Sequence, residues 1–369
     1  MLRKLVAWMR FDGLKPGVKS SPLKPRARDA ATPLAEAPFS PNPGNLRMFR
    51  YLPKGLKAGA PLVVVLHGCG QTASGYDTGA GWHELAAELG FAVLAPEQKA
   101  VNNPGTCFDW FNPEDITRGE GECASIAAMI ANLVETHHLD AKRVFITGLS
   151  AGGAMTAVML AAYPELFAGG AIIAGLPFGV AGNVRDALEA MRSAPLKTPA
   201  QWGDLVRAAS DWKGPWPKIS IWHGALDTTV NINNAQASVA QWCDVLGLPL
   251  TGARQEMTDG AIHLSWDDRL EVWTLPMLGH GTPILSRDVG RPEPFILEAG
   301  ISSSRRIAGF WGLAPQTVPQ PASRPNPAPI VTERTVLREI EAERAPQVVQ
   351  PVAETLVRRA LRAVGLLKG

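Results

Sequence analysis

The stretch Gly148-Leu149-Ser150-Ala151-Gly152 constrains this chain more than any other, because it stands between an apolar run ending at Thr147 and a small-residue helical pattern from Ala151 to Tyr163. A strand, a turn too tight for ordinary side chains, and a helix satisfy that order. Such a turn lifts the Ser150 hydroxyl above the end of a sheet and aims the first N–H groups of the helix at whatever the hydroxyl attacks. A sheet must therefore carry the turn, and other residues must activate the serine.

The sheet is legible as a series of apolar runs. Pro61 to His67 (PLVVVLH) has the composition of a fully covered central strand. Arg47 to Leu52, Phe91 to Ala95, Arg143 to Thr147, Ala168 to Ala174, Lys218 to Trp222 and, as the last, Leu270 to Leu275 are the other predicted strands. Helical spacing covers Gly79 to Leu89 (ended by Gly90), Glu120 to His137, Ala151 to Tyr163 and Ala235 to Leu246, while Phe295 to Trp311 closes the domain as a helix strained at Gly300. Val101 to Thr117 reads as irregular. Strand and helix alternating with short connections call for a mostly parallel sheet with helices on both faces. The rhythm breaks over residues 176–217, which predict a mostly helical insertion over the sheet's edge.

Both ends differ in composition from the middle. Pro16, Pro22, Pro25, Pro33, Pro38, Pro41 and Pro43 mark residues 1–46 as a flexible arm, and residues 47–313 as the globular domain. Residues 314–369 read as a Pro-rich linker and a C-terminal amphipathic helix. That helix sets Val352, Leu356, Val357, Leu361 and Val364 opposite Arg358, Arg359 and Arg362, a face for docking on the domain, on a partner helix, or on a polymer granule or membrane surface.

Composition removes several kinds of function. A formal net charge of +2 over 369 residues gives little counterion release, so nucleic acid is not an expected partner. Cys69, Cys107, Cys123 and Cys243 are too dispersed for a zinc site, although one disulfide can form. Neither metal nor organic cofactor is expected. The apolar run Leu5 to Met9 is shorter than a secretory leader requires, and no 18-residue apolar run is present for a membrane span.

A serine hydroxyl needs an imidazole to take its proton, and the imidazole needs a carboxylate to set its tautomer. On a doubly wound sheet these partners follow later strands in the order Ser, Asp, His. Asp227 follows Lys218 to Trp222 through His223-Gly224-Ala225-Leu226, and His280 follows Leu275 through Pro276-Met277-Leu278-Gly279. The tetrahedral intermediate needs two N–H donors. Ala151 supplies one, and the loop His67-Gly68-Cys69-Gly70-Gln71 the other, best through the Cys69 backbone. The Cys69 thiol is then either a small apolar filler or half of a disulfide with Cys107. His67 reads as a backbone-bonded residue at a strand end, and His83, His137, His138, His223 and His263 as structural or surface residues.

LHGCGQTA, NPGTCFDWFNPED, GLSAGGAMT, HGALDTTV and LGHGTP together resemble the catalytic domain of short-chain polyhydroxyalkanoate (poly-3-hydroxybutyrate) depolymerases and their feruloyl and acetylxylan esterase relatives. The resemblance runs from about Arg47 to Leu313. It implies an α/β-hydrolase fold, Ser150 as nucleophile with Asp227 and His280, the Cys69 backbone in the oxyanion hole, and a substrate pocket lined by Trp110 and Gln71. This chain departs from the pattern at Phe108 and at Gly281-Thr282, residues expected to shape the pocket walls. The implied activity is hydrolysis of short 3-hydroxyacyl esters, polymeric or oligomeric. The alternatives are a hydroxycinnamate or acetyl ester of a polysaccharide, and a non-catalytic granule- or membrane-associated binding protein. The resemblance also implies an exported enzyme, whereas the short N-terminal apolar run is that of a cytoplasmic one. No separate substrate-binding module is recognisable in either tail.

Overall fold

Alternating side chains of one strand divide the protein into two cores. In β3 (Leu62–Leu66) every residue is buried; Leu62, Val64 and Leu66 enter one core, and Val63 and Val65 the other. A strand buried on both faces needs apolar residues at consecutive positions, and each such side chain contributes about 1.5–3 kcal/mol by leaving water. The computed structural model describes residues 33–314. Residues 1–32, the expected linker from 315 and the expected amphipathic helix over Val352 to Leu367 lie outside them.

The main sheet has ten strands in the order β1-β2-β4-β3-β5-β6-β7-β10-β9-β8. The central strands are β4 (Ala92–Glu97), β3, β5 (Val144–Leu149), β6 (Gly169–Ile173), β7 (Lys218–Gly224) and β10 (Leu270–Leu275), all parallel. Antiparallel pairs flank them: β1 (Ala35–Ala37) with β2 (Arg47–Tyr51), and β9 (Ala261–Trp266) with β8 (Arg254–Thr258). The helices are α1 (Ala73–Ala80), α2 (Trp82–Leu89), α3 (Pro113–Ile116), α4 (Gly121–His137), α5 (Ala151–Ala162), α6 (Val184–Arg192), α7 (Pro199–Ala208), α8 (Asn233–Leu246) and α9 (Ser303–Phe310). Two short strands, β11 (Thr282–Ile284) and β12 (Ile296–Glu298), pair in parallel outside the main sheet.

Four sequence expectations change. Residues 33–46 are not a loose arm, because β1 pairs with β2 and Leu34 and Leu46 are buried. The Asn42 side chain bonds both the N–H and the carbonyl of Leu46, and Gly44 N donates to Ser125 Oγ at 2.8 Å. Proline lacks only an N–H, so a Pro-rich segment with few donors to satisfy can still lie along a sheet edge. The single helix expected over Gly79–Leu89 is two, α1 and α2, divided at Gly81 in the left-handed region (φ 76°).

The expected closing helix over Phe295–Trp311 begins only at Ser303, where the Ser302 side chain caps Arg305 N; Ile296–Glu298 is strand β12, and Leu270–Leu275 is not the last strand. The insertion lies between two central strands, β6 and β7, rather than over the sheet's edge. Its helix α6 faces the cleft at the carboxyl ends of the strands, and Gln241 of α8 holds the flanking segment through Phe178 N, Phe178 O and Trp202 O. The hairpin β8–β9 went unread although Asp259-Gly260, both at positive φ, is a recognised two-residue turn.

Candidate active site

The turn after β5 is as tight as its glycines require. A Cβ on Gly148 would stand 2.4 Å from Gly152 O, and one on Gly152 would stand 2.3 Å from Leu66 O. Ser150 adopts φ 57°, ψ −116°, a conformation that costs about 1–3 kcal/mol and persists because its surroundings hold it. Ser150 N donates to Ile173 O at 2.9 Å, and Ser150 O accepts from Ala154 N at 2.8 Å. The serine thus sits at the N-terminus of α5, lining a cleft of about 940 Å³ at the carboxyl ends of the strands.

Asp227 and His280 arrive from the loops after β7 and β10, and the parallel pairing of those strands brings the two loops side by side. Leu226 N donates to Leu278 O, joining them. His280 Nδ1 donates to Asp227 Oδ2 at 2.7 Å, so its Nε2 is the nitrogen left without the proton. His280 lines the same cleft as Ser150. Asp227 Oδ1 accepts from Thr229 N and Val230 N, both at 2.8 Å. Burial would raise the Asp227 carboxyl, but the imidazoles of His223 and His280 beside it hold it well below the usual carboxylate range. It is therefore an anion at every pH at which the histidine works.

The donor loop is braced from both sides. Cys69 and Cys107 form a disulfide, resolving the alternatives for this thiol, and Gly70 N donates to Gly105 O at 2.8 Å. Gln71 does line the cleft, yet its amide is engaged at both ends: Oε1 accepts from Gly68 N at 2.8 Å and Nε2 donates to Pro294 O at 2.9 Å. It braces the loop instead of offering a free amide to substrate. Among the described residues, the N–H groups of Cys69 and Ala151 have no protein acceptor. Ala151, as the first residue of α5, is one of the helix's unpaired donors by geometry.

Trp110 lines the cleft beside Phe111, with the rings edge to face at 5.3 Å. Phe108, by contrast, is wholly buried against His67, with ring centroids 4.9 Å apart, and is not a cleft residue. Gly281 does not line the cleft either. A Cβ there would stand 2.7 Å from Phe295 O, so its small size lets the β12 segment close on the His280 loop. The walls that sequence reading missed are α6, through Val184, Ala187, Leu188 and Met191, and Phe295. The spacing of Val184, Leu188 and Met191 was the available signal.

Behind Trp110, the carboxylates of Asp109, Asp115 and Glu122 offer oxygens within 4.8 Å of one another, the spacing of a metal site. Protein donors already hold them. Asn103 bonds Asp109, Asn112 and Glu122 N bond Asp115, and Asp109 N with the Gln98 amide bonds Glu122. Burial pushes the Asp109 carboxyl up to about 6 and Glu122 well above the usual range, so the trio favours shedding charge while tying the cleft wall to α4.

His67 is buried, with Nδ1 donating to Gly68 O and Nε2 accepting from Gln98 N. Burial pushes it down to about 4, so it remains a neutral loop brace.

Comparison with known proteins identifies a family. The family described as esterase PHB depolymerase matches residues 46–260. The chain belongs to that family. It is 43% identical over 285 residues to poly(3-hydroxyalkanoate) depolymerase C of Paucimonas lemoignei, covering 74% of this chain and 69% of that one. Feruloyl esterase B of Thermothelomyces thermophilus is 34% identical over 220 residues, 58% of this chain and 75% of that one. Among solved structures, acetyl xylan esterase from Aspergillus awamori superposes with a TM-score of 0.68 at 27% identity, covering 76% of this chain and 99% of that one. As a member of this esterase family, the protein is a carboxylic-ester hydrolase of the α/β-hydrolase fold.

Proposed function

We propose that Ser150, His280 and Asp227 hydrolyse esters of short 3-hydroxy acids, polymeric or oligomeric, through an acyl-enzyme. The observation that carries this reading is the 2.7 Å bond from His280 Nδ1 to a buried Asp227, with His280 and an elbow serine on one cleft. His280 Nε2 takes the proton of Ser150 as its oxygen attacks the ester carbonyl, then returns that proton to the departing alcohol. Water, deprotonated in turn by His280, attacks the acyl-serine and releases the acid. The N–H groups of Cys69 and Ala151 stabilise the oxyanion, each contributing about 3 kcal/mol in sites of this kind.

The cleft lining favours a neutral apolar ester. Leu149, Leu188, Met191, Trp110, Phe111 and Phe295 face it, and among the described residues that line it there is no Lys or Arg to hold a phosphate or free carboxylate. The second reading, a hydroxycinnamate or acetyl ester on a polysaccharide, rests on the feruloyl and acetyl xylan esterase relatives. A panel of poly-3-hydroxybutyrate, its soluble oligomers, methyl ferulate and acetylated xylan separates the two. Hydrolysis of p-nitrophenyl butyrate by wild type and Ser150→Ala tests the triad itself. A loss in kcat of at least about 10⁴-fold is expected, and equal activity in both proteins would sink the reading.

A further inference from the structure

The geometry points to a fourth member of the charge relay: His223, at the end of β7, is a positioning residue that holds the Asp227 carboxylate and shares with His280 the oxygen it orients. This extends the triad reading and depends on it. His223 is buried, with its side chain 1% exposed. Its Nε2 lies 2.8 Å from Val230 O and 3.3 Å from Asp227 Oδ2. A carbonyl oxygen only accepts, so Nε2 carries the hydrogen and donates it to Val230 O, with the Asp227 carboxylate oxygen standing beside the same nitrogen. Nε2 is thereby excluded as a proton acceptor, and His223 does not line the cleft. It has no role as an alternative base.

Its position suits one task. Three donors bond Asp227, Thr229 N and Val230 N on Oδ1 and His280 Nδ1 on Oδ2, and His223 Nε2 stands 3.3 Å from that same Oδ2. The backbone pair fixes where the carboxylate sits, and the bond from His223 to Val230 O closes the 227–230 turn that supplies that pair. The contact with Oδ2 does more, because the oxygen that faces His280 must divide its negative charge between two imidazoles. With His223 donating, less of that charge is available to stabilise a proton on His280. Removing that N–H leaves the oxygen's charge to His280 alone, which favours the protonated imidazole. The titratable groups acting on Asp227 are His223 and His280. Asp109 is the one carboxylate among the described residues that line the cleft, and no Lys or Arg is among them.

The test compares His223→Gln, which keeps an N–H near the position of Nε2, with His223→Leu, which removes it, on p-nitrophenyl butyrate across pH 4.5–9. Rates are normalised to active sites counted with a serine-directed phosphonate. For His223→Leu, kcat is expected to fall about tenfold or more with KM nearly unchanged, and the acid limb of kcat/KM to move to higher pH. His223→Gln should keep the wild-type limb and most of kcat. A merely structural role would lower the count of active sites and the melting temperature in both variants but leave the limb in place.

The inference is overturned if the limb of His223→Leu coincides with wild type after normalisation. Should His223→Leu not fold, His223→Asn, whose shorter amide does not reach Asp227, takes its place against His223→Gln with the same readouts. Ser150→Ala, run alongside, keeps the two questions apart. Retained activity there rejects the triad, whereas an inactive Ser150→Ala with an unmoved limb in the His223 variants rejects this inference alone.

Discussion

Two histidines show how environment, and not residue type, decides what an imidazole does in this protein. His280 has one nitrogen on Asp227 and faces the cleft with the other, whereas His263 is enclosed between two carboxylates. Its Nδ1 meets Glu256 Oε1 and its Nε2 meets Glu271 Oε2, each at 3.1 Å, while its ring stacks on Trp273 with centroids 4.0 Å apart. Ser220 Oγ donates to the second Glu271 oxygen and accepts from Trp222 Nε1, which extends the network into the sheet. Burial would lower the His263 imidazole, but hydrogen bonds to Glu271 and Glu256 outweigh it and raise it above its ordinary value of 6.5. A group whose value is raised on folding stabilises the fold fully below its unfolded value, and loses that contribution as pH climbs through the folded one. Urea unfolding should therefore show the wild type losing stability, relative to His263→Gln, as pH rises from about 6 to 9. A constant difference between the two proteins over that range would contradict the ion-paired state.

Among the elements, α6 supplies a wall of the cleft through Val184, Ala187, Leu188 and Met191. Asn183 caps its start by accepting from Asp186 N, and its other end is fastened to the segment just beyond Asp227. Asn231 N donates to Met191 O at 2.8 Å, Asn234 Nδ2 to Ala190 O at 2.9 Å, and Asn233 Nδ2 to Ser193 Oγ at 2.8 Å. These bonds tie the α6 wall of the cleft to the segment after Asp227. Ala187 and Ala190 are buried, whereas Leu188 and Met191 are half-buried at the cleft, so these two can be trimmed with little loss of core. The double change Leu188→Ala, Met191→Ala should raise kcat/KM for octanoyl over butanoyl p-nitrophenyl esters on the order of tenfold, a few methylenes' worth of newly opened space. An unchanged ratio would show that α6 does not bound the acyl chain.

At the scale of the molecule, residues from the ends of β3, β5, β7 and β10 meet at one edge because parallel strands deliver their carboxyl ends to the same side. Every group assigned to the chemistry lies within residues 33–314. A chain cut to those residues should hydrolyse p-nitrophenyl butyrate with kcat within about twofold of the full chain, since no contact used in the mechanism is removed; inactivity of the folded fragment would place an essential part in the tails.

The central strands, the elbow and the order Ser150, Asp227, His280 were legible because each is written in local pattern: two-sided apolar runs, obligatory small residues, and loops directly after strands. The edge strand β1 and the β8–β9 hairpin were not, since edge pairing depends on a neighbour distant in sequence, and Pro-rich or charged segments accept it as readily as they remain loose. The same distinction runs through the site. Local pattern was enough to bring Ser150, Asp227 and His280 together as candidates, because a serine between glycines and a histidine and aspartate past later strands leave few other arrangements. Packing alone made Gln71 a brace, buried Phe108 away from the cleft wall, set α6 in that wall, and stood His223 beside the Asp227 oxygen that His280 bonds. Those outcomes depend on side-chain direction and hydrogen-bond partners across the packed ends of separate strands, which no one-dimensional spacing encodes.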